Sequence, residues 1–295
     1  MTLVPPNVIV VVLNWCNAPD TAACLESLAA SRYDALTVLL VDNGSPDGSG
    51  QALHARFPNL PYLSTGSNLG YAGGNNRGFS WALAHGAHYV LVLNNDTVVD
   101  PDAVPRLVQA AEETGAAVVA PQIRYFDEPT RIWYGGGRFS LMRALGMHQT
   151  RNDAVAGAGR RPVTFVCGCC FLIRCDVLRE AGGFDEAYFA YVEDVELSLR
   201  LTRAGHVLLY EPAARLLHRI EGRARSTPFQ IRQRDRNRRR LVGRHYGVID
   251  RIRFFMWFYP SRLAHLIRYI SRRDWACARA IVDGALGGFP PATTT

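Results

Sequence analysis

The chain of 295 residues contains no lysine, so all 33 of its basic residues are arginines. Residues 215–295 hold 18 of these arginines and only five acidic residues, whereas residues 1–214 hold more acids than arginines. A positive charge confined to the last third of the chain indicates a polyanionic partner, such as a lipid surface, a lipid diphosphate or a nucleic acid. A solvated basic surface explains the same pattern equally well.

Long apolar runs are also absent. A helix that crosses a membrane needs about 20 apolar residues, and even the aromatic stretch 254–259 is bounded by Arg253 and Arg262. The apolar stretch 8–13 has no basic region before it, which argues against a secretion signal. We therefore expect a cytoplasmic protein.

The cysteines lack the pattern of a zinc site. Four of the seven crowd into residues 167–175, but paired Cys-x-x-Cys units and a second half of the site are missing. Without a secretion signal, reduced thiols are expected.

The G-x-G-x-x-G motif of dinucleotide-binding folds does not follow the first predicted strand. Strands nevertheless alternate with helices as far as residue 120, which predicts an α/β fold with a mostly parallel central sheet flanked by helices. The predicted strands of this part are 8–13, 37–41, 62–64, 90–93 and 117–120. From 121 to 161 the alternation gives way to short strands and long loops that border a site.

Later elements are predicted in the same way. Short strands over 163–166 and 170–173 flank a turn at Gly168, and a helix begins close to Glu193. Two further short strands, 207–210 and 216–218, are separated by a turn at Glu211-Pro212.

Polar residues follow two of the buried strands. Asp42 ends the second strand, and Asn94, Asn95 and Asp96 follow the strand 90–93. Ligands of open α/β sheets bind at the carboxyl ends of the strands, where a carboxylate can hold a divalent cation against phosphate oxygens. Turn formation alone also explains each of these residues.

A glycine-rich segment, residues 68–78, lies between these two sites and opens a helix. Its four glycines allow the backbone to approach a phosphate or a planar ligand. Asn68 and Asn76 can hydrogen-bond a base or a ribose.

Three more candidates come from the second half of the chain. Glu193 and Asp194 stand together at the start of a helix, and His218 ends a short strand. Carboxylates at a helix start ordinarily complement the helix dipole. A lone histidine is ordinarily a packed or hydrogen-bonded side chain.

Together and in this order, the motifs resemble family 2 glycosyltransferases with the GT-A fold. The resemblance runs from about residue 8 to 222 and is strongest for the rhamnosyltransferase-type branch. It is carried by Val41-Asp42-Asn43-Gly44-Ser45, by Asn68, Gly70, Asn76 and Gly78, by Asn94-Asn95-Asp96, by Trp133-Tyr134-Gly135-Gly136, by Gly168, by Gly182-Gly183-Phe184-Asp185-Glu186, by Glu193-Asp194 and by His218.

The resemblance implies a role for each of these positions. Asp42 would hold the base or ribose of a nucleotide-sugar. Asp96 would bind Mg²⁺ or Mn²⁺ at the diphosphate, with His218 as a second protein ligand. Asp194 would be the catalytic base, with Glu193 beside it in the acceptor site. The nucleotide-sugar pocket would be completed by Asn68, Gly70, Asn76 and Asn95.

Two departures from the family pattern matter. Asn94 replaces the first acid of the family's Asp-x-Asp motif, so metal binding depends more on the donor diphosphate. The Gln-x-x-Arg-Trp signature of processive relatives is missing, so a processive polymer synthase is not expected.

The implied function is inverting transfer of a sugar from a nucleotide-diphosphate sugar in cell-surface polysaccharide synthesis. The donor favoured is dTDP-rhamnose, with a UDP-sugar as the alternative, and the acceptor is a hydroxyl of a glycan or of a polyprenyl-diphosphate-linked sugar.

Two other functions stay open. A sugar nucleotidyltransferase needs a basic glycine-rich loop after its first strand, where residues 14–17 read Asn-Trp-Cys-Asn. A non-catalytic module that binds nucleotide-sugars or nucleic acid would not need Asp96, Asp194 and His218 together. The arginine tract also lacks a recognisable nucleic-acid-reading module.

The predicted organisation is a GT-A catalytic domain over 1–222 and a basic helical extension over 223–295. Within the domain, residues 1–120 would bind the nucleotide-sugar and residues 121–222 the acceptor.

A helix over 261–271 in this extension would place four apolar residues, Leu263, Leu266, Ile267 and Ile270, along one side. That pattern suits a helix lying on an anionic membrane surface. A helix packed on the catalytic domain fits the pattern equally well. The membrane interpretation places the protein peripherally on the inner face of the plasma membrane.

Overall fold

The computed structural model describes residues 4–150, 159–220 and 226–288. Its first part alternates strands and helices, as the sequence predicts. The elements are β1 (Val8–Asn14), α1 (Ala18–Ala29), β2 (Leu36–Asp42), α2 (Ser49–Arg56), β3 (Tyr62–Ser64), α3 (Gly70–Ala84), β4 (Tyr89–Asn94), β5 (Thr97–Val99), α4 (Ala103–Thr114) and β6 (Val118–Tyr125). Because β1 and β4 are unbroken apolar runs, they lie buried at the centre of the sheet.

The second part adds shorter strands and the helices that border the site. These elements are β7 (Ile132–Tyr134), β8 (Gly137–Ser140), β9 (Leu145–His148), β10 (Arg161–Val163), β11 (Cys170–Arg174), α5 (Cys175–Ala181), a 3₁₀ turn (Glu186–Tyr188), α6 (Glu193–Arg203) and β12 (Leu208–His218).

The main sheet has the strand order β10-β12-β6-β11-β4-β1-β2-β3, and β5 and β7 pair with β12 and β6 respectively. Strands β3, β2, β1 and β4 are parallel, whereas β11 runs antiparallel between β4 and β6. The start of β11 therefore meets the carboxyl end of β4. The end of β12 reaches the same edge through its pairing with β5. The predicted α/β class is confirmed.

Two predicted strands are merged in the structure. The segments 207–210 and 216–218 belong to one strand, β12, whose pairing with β6 shifts register between Glu211 and Arg215. Pro212 has no N–H to donate to a ladder, so the chain bulges there without turning away.

The C-terminal extension consists of three helices, α7 (Pro228–His245), α8 (Val248–Ser271) and α9 (Trp275–Leu286). Helix α8 begins well before the predicted start near Ser261, and Pro260 lies inside it. Proline removes one helical hydrogen bond. Pro260 is on the exposed side, where water can satisfy the freed carbonyl.

The extension packs into the core of the catalytic part. Six buried apolar residues of the extension join the main hydrophobic cluster: Leu241, Val242, Tyr246, Phe254, Phe258 and Ala285. The Asp235 carboxylate is buried between the guanidinium groups of Arg238 and Arg262. Some of the arginines of the basic extension therefore lie in the protein interior and not on its surface. The predicted domain boundary at 222/223 lies outside the described residues.

Candidate active site

A network of short polar side chains connects the carboxyl ends of β4, β1 and β2. Asn95 Nδ2 donates to Thr21 Oγ1 at 2.7 Å, and that hydroxyl lies 2.9 Å from Asn14 Oδ1. Asn14 Nδ2 in turn donates to Asp42 Oδ1 at 3.2 Å and to Ser45 Oγ at 3.1 Å. The two predicted nucleotide-site residues, Asn95 and Asp42, are thus linked through Asn14 and Thr21. Sequence reasoning did not assign either of those two to the site.

Asp42 lies beneath this edge of the sheet and is 1% exposed. Its carboxylate accepts a hydrogen bond of 2.5 Å from Ser45 Oγ, in addition to the one from Asn14. The N-terminal turn of α2 is so close that a Cβ on Gly50 would lie 2.2 Å from the carboxyl carbon. The carboxylate therefore organises the strand tip, and a direct contact with a nucleotide stays a prediction.

The start of α3 packs directly on the segment that precedes Glu193. Gly70 has a φ of +74°, and a Cβ there would lie 2.4 Å from the carbonyl oxygen of Phe189. Asn68 Oδ1 accepts from the Gly70 amide at 2.8 Å and fixes this turn. Glycine is thus required for both backbone conformation and space.

Asn76 pins the 184–186 segment. Its Nδ2 donates to the carbonyl of Phe184 at 2.9 Å and to Glu186 Oε1 at 3.0 Å, and its Oδ1 accepts from the Phe184 amide at 2.9 Å. This supporting use differs from the nucleotide contact expected for Asn76.

Asp96 and His218, the predicted metal ligands, are brought together from distant parts of the chain. His218 Nε2 lies 3.1 Å from Asp96 Oδ1. Strand pairing between β5 and β12 sets this proximity, and the Arg219 amide donates to the Asp96 carbonyl at 2.8 Å. Trp133 packs edge-on against the His218 ring with centroids 4.6 Å apart.

The donor atoms at this tip suit a hard divalent cation. Two buried oxygens, Asn94 Oδ1 and Asp96 Oδ1, have no hydrogen-bond partner. His218 Nε2 is close enough to Asp96 Oδ1 for a hydrogen bond, but the two groups are not aligned for one. Oxygen ligands are those that Mg²⁺ prefers, with the remaining positions filled by water and phosphate. Within the described residues, no cluster of three or more His, Cys, Asp or Glu side chains is arranged for metal binding. The substrate would therefore have to complete the coordination.

Asp194 occupies the first turn of α6 and faces the Gly168 turn. Its Oδ2 accepts from the Gly168 amide at 2.9 Å, and its Oδ1 accepts from the Val195 amide at 2.8 Å. The Gly168 carbonyl accepts a hydrogen bond of 2.6 Å from the Tyr71 hydroxyl, which fixes the turn against α3.

The Gly168 turn lies between the two parts of the predicted reaction centre, the Asp96 tip and Asp194. The amide of Asn94, at the tip of β4, donates to the carbonyl of Cys169 at 2.8 Å, while the adjacent Gly168 amide binds Asp194. The β4 tip that carries Asp96 and the start of α6 therefore flank one short turn at one edge of the sheet.

The two adjacent carboxyl groups differ in their surroundings. Glu193 is 6% exposed, and its Oε2 has no hydrogen-bond partner. Burial raises the pKa of Glu193 well above its usual range, and the neighbouring Asp194 raises it further. Burial also raises the pKa of Asp194, whereas its two amide donors oppose that rise. These surroundings favour the proton on Glu193 and the negative charge on Asp194, and the raised pKa of Asp194 increases its basicity.

Two solved structures that superpose on this chain were determined with a nucleotide or a nucleotide-sugar and Mn²⁺. The chain superposes on GalNAc-T7 in complex with UDP, GalNAc and Mn²⁺ with a TM-score of 0.64 and 15% identity, covering 81% of this chain and 48% of that one. It superposes on the mannosyltransferase PcManGT of Pyrobaculum calidifontis, in complex with GDP-Man and Mn²⁺, with a TM-score of 0.59 and 16% identity. That match covers 96% of this chain and 86% of the mannosyltransferase. The fold is therefore that of the GT-A glycosyltransferases.

The sequence profile of Glycosyl transferase family 2 matches residues 7–182, and the chain belongs to this family. It is 35% identical over 233 residues to the N-acetylglucosaminyl-diphospho-decaprenol L-rhamnosyltransferase of Mycobacterium tuberculosis, covering 71% of this chain and 75% of that one. It is 26% identical over 175 residues to rhamnosyltransferase WbbL of Escherichia coli K12, covering 55% and 65%. The predicted enzyme class, an inverting glycosyltransferase of the rhamnosyltransferase-like branch, is confirmed.

Proposed function

We propose that the protein transfers rhamnose from dTDP-rhamnose to a sugar hydroxyl of a polyprenyl-diphosphate-linked acceptor during cell-surface polysaccharide assembly. The relative in M. tuberculosis is named as a rhamnosyltransferase acting on a decaprenol-diphosphate-linked sugar. The observation that carries the proposal is the pairing of Asp96 with His218 and the placement of Asp194 across the Gly168 turn from that pair. A UDP-sugar is the alternative donor.

Asp96 and His218 would hold Mg²⁺ or Mn²⁺ together with the donor diphosphate. When bound, the cation supplies Lewis-acid stabilisation of the charge that develops on the leaving diphosphate. Both structural neighbours above were solved with Mn²⁺.

Asp194 would accept the proton of the acceptor hydroxyl. The acceptor oxygen then forms a bond to the anomeric carbon while the bond from that carbon to the diphosphate oxygen breaks, which inverts the configuration. A positioned base of this kind contributes about 10²–10⁴-fold to the rate. The amides of Gly168 and Val195 hold the carboxylate in place. The raised pKa of Glu193 favours its protonated form, which would add no second negative charge beside Asp194.

The reaction would take place on the cytoplasmic side of the membrane. A polyprenyl-diphosphate-linked acceptor lies in a lipid leaflet, and a nucleotide-sugar donor is water-soluble. The protein would therefore act as a peripheral enzyme at the inner face.

A thermal-shift panel of nucleotide-sugars with and without Mn²⁺, combined with a transfer assay, tests this function. Donor and metal should stabilise the protein together, because each binds better in the presence of the other. Asp96→Asn should lose the metal-dependent part of the shift. Asp194→Asn should keep the full shift and lose transfer at least about 100-fold.

The matched control is Asp34→Asn. Asp34 is exposed just before β2, at the opposite edge of the sheet, so this variant should behave as wild type. A normal transfer rate in Asp194→Asn would show that the base is another residue. If another nucleotide-sugar gave the thermal shift and dTDP-rhamnose gave none, the donor would be reassigned.

A further inference from the structure

Helix α8 exposes an apolar stripe along its whole length. The stripe is formed by seven side chains that are 42–73% exposed: Ile249, Ile252, Met256, Tyr259, Leu263, Ile267 and Ile270. At about 100° per residue they fall within an arc of roughly 80°, and at about 1.5 Å per residue they extend over about 30 Å. The predicted stripe covered only the second half of this length, and one of its four members, Leu266, instead packs against the buried cluster that contains Ile231 and Ile281.

The orientation of the stripe is fixed by the opposite face of the same helix. Phe254 and Phe258 are completely buried in the core. Arg262 is held by Asp235 through contacts of 2.9 and 3.0 Å. The apolar stripe therefore faces away from the body of the protein because the rest of α8 is anchored to it.

The apolar surface continues onto the catalytic part. Leu141 and Met142, in the turn between β8 and β9, are about half exposed and line a surface groove together with Met256 and Trp257. Hydrogen bonds of 2.8 Å attach this turn to the extension, from the Tyr246 hydroxyl to the Leu141 carbonyl and from Arg238 Nε to the Arg143 carbonyl. The turn and α8 thus form one continuous surface.

Exposed arginines border this surface. Arg253 lies beside the stripe with its side chain 71% exposed and forms an ion pair of 3.4 Å with Asp250, which lines the same groove. Arg268, Arg272 and Arg273 are exposed at the end of α8 and just after it. A second copy of the chain docking on the same face would bring these arginines against one another. An apolar stripe with a cationic border is instead typical of a helix lying in the interface of an anionic membrane.

We propose that α8 and the β8–β9 turn form a docking surface for an anionic phospholipid bilayer, with α8 lying in the plane of the interface. Among the described residues, no helix has the length and apolarity to cross a membrane. The inference rests on the proposed function in one respect, since docking here would bring the active site to a lipid-linked acceptor.

The experiment is co-sedimentation of the full-length protein with phosphatidylcholine vesicles, with and without phosphatidylglycerol, in the absence of donor and acceptor. Wild type should pellet with the anionic vesicles and stay in the supernatant with the neutral ones. The double variant Met256→Glu/Leu263→Glu should reduce the bound fraction at least about 10-fold. Both side chains are exposed, and donor-induced thermal stabilisation checks that this variant is folded.

The matched control is Ala55→Glu/Ala84→Glu, which adds the same charge at exposed positions of α2 and α3. It should pellet like wild type. Equal pelleting of the two double variants, or wild type remaining in the supernatant with anionic vesicles, would overturn the proposal. A dimer mass in light scattering that falls to one chain in Met256→Glu/Leu263→Glu would reassign the face to a second copy.

This assay is independent of catalysis. If the wild type does not bind vesicles but transfers sugar normally to a soluble acceptor, the docking proposal is wrong and the proposed reaction stands. If the wild type binds vesicles normally but transfers no sugar, the proposed reaction is wrong and the docking proposal stands.

Discussion

The side-chain amide of Asn237 donates a hydrogen bond of 2.7 Å to the carbonyl oxygen of Tyr191, two residues before Glu193. The same amide nitrogen lies 2.7 Å from the Tyr188 carbonyl and 2.9 Å from the Ala190 carbonyl. In the segment held this way, Phe189, Tyr191 and Val192 all have positive φ values, of 60°, 69° and 77°. Non-glycine residues adopt such conformations only when their surroundings stabilise them. A fully buried residue of the C-terminal extension thus holds the turn that aims Asp194.

Replacing Asn237 with alanine should therefore lower kcat more than it changes the donor KM. The Tyr188 carbonyl keeps the Ala190 amide as a donor, whereas the carbonyls of Ala190 and Tyr191 would lose the Asn237 amide in a buried site, at a cost of about 1–3 kcal/mol for each group left unsatisfied. We expect kcat to fall at least about 10-fold, with a donor KM within about 2-fold of wild type, as measured by initial rates.

Arg232→Ala is the control for Asn237→Ala. Arg232 is exposed on the same helix, so its removal should leave both constants unchanged. A wild-type kcat in Asn237→Ala, despite a lowered Tm, would show that the amide supports folding but not the geometry of Asp194.

Gly70 and Gly66 offer a matched pair for testing how closely α3 packs on this turn. Both have positive φ, +74° and +75°, so an alanine at either site carries a conformational cost of about 1–2 kcal/mol. Only at Gly70 would the new Cβ also collide with Phe189, since Gly66 has open space around it. Gly66→Ala should lower Tm modestly and leave transfer intact.

Gly70→Ala should lower Tm further and reduce kcat, because the collision displaces the segment that precedes Glu193. Differential scanning fluorimetry and a transfer assay on both variants measure these effects. Equal losses in the two variants would mean that the contact with Phe189 relaxes without moving the catalytic pair.

The raised pKa of Glu193 makes stability depend on pH in a defined direction. In the unfolded chain this carboxyl titrates near its ordinary value of 4.5, whereas in the folded protein it keeps its proton to a higher pH. Over that interval the folded state binds more protons, so the free energy of unfolding falls as pH rises, by at most about 1.4 kcal/mol per pH unit.

Glu193→Gln removes this dependence, because glutamine stays neutral in both states. The variant should match wild type in Tm near about pH 5 and exceed it increasingly toward about pH 8. Glu26→Gln, at a side chain that is 54% exposed and paired with Arg56, should show no such divergence. Parallel Tm profiles for wild type and Glu193→Gln would mean that Glu193 is ionised in the folded protein.

Positions at the ends of strands were predictable from the sequence. Asp42, Asp96 and His218 were assigned correctly to strand tips, because apolar strands end abruptly in polar residues and the fold brings those ends to one edge. The start of α6 at Glu193 was also predicted. The pairing of His218 with Asp96 follows from the strand topology, and only the order of the family motifs indicated it.

The residues that the sequence did not reveal are those whose partners lie far away along the chain. Asn14 and Thr21 are short polar residues whose role depends on Asp42 and Asn95. Asn237 and Arg238 lie in a tract that reads as a basic surface, yet both are buried. Tertiary packing decides such contacts, and helical periodicity carries no signal for them. The start of α8 was missed because an internal proline usually marks a helix boundary.

The burial of Phe254 and Phe258 in the same core as the central strands has a consequence for engineering this enzyme. A chimera with its junction near residue 222 would join this catalytic part to the C-terminal part of another protein. Such a chimera would leave holes where two phenyl rings belong and would remove the amide that steadies the turn ahead of Asp194. Donor and acceptor preferences should therefore be transplanted by altering individual loops within an intact polypeptide.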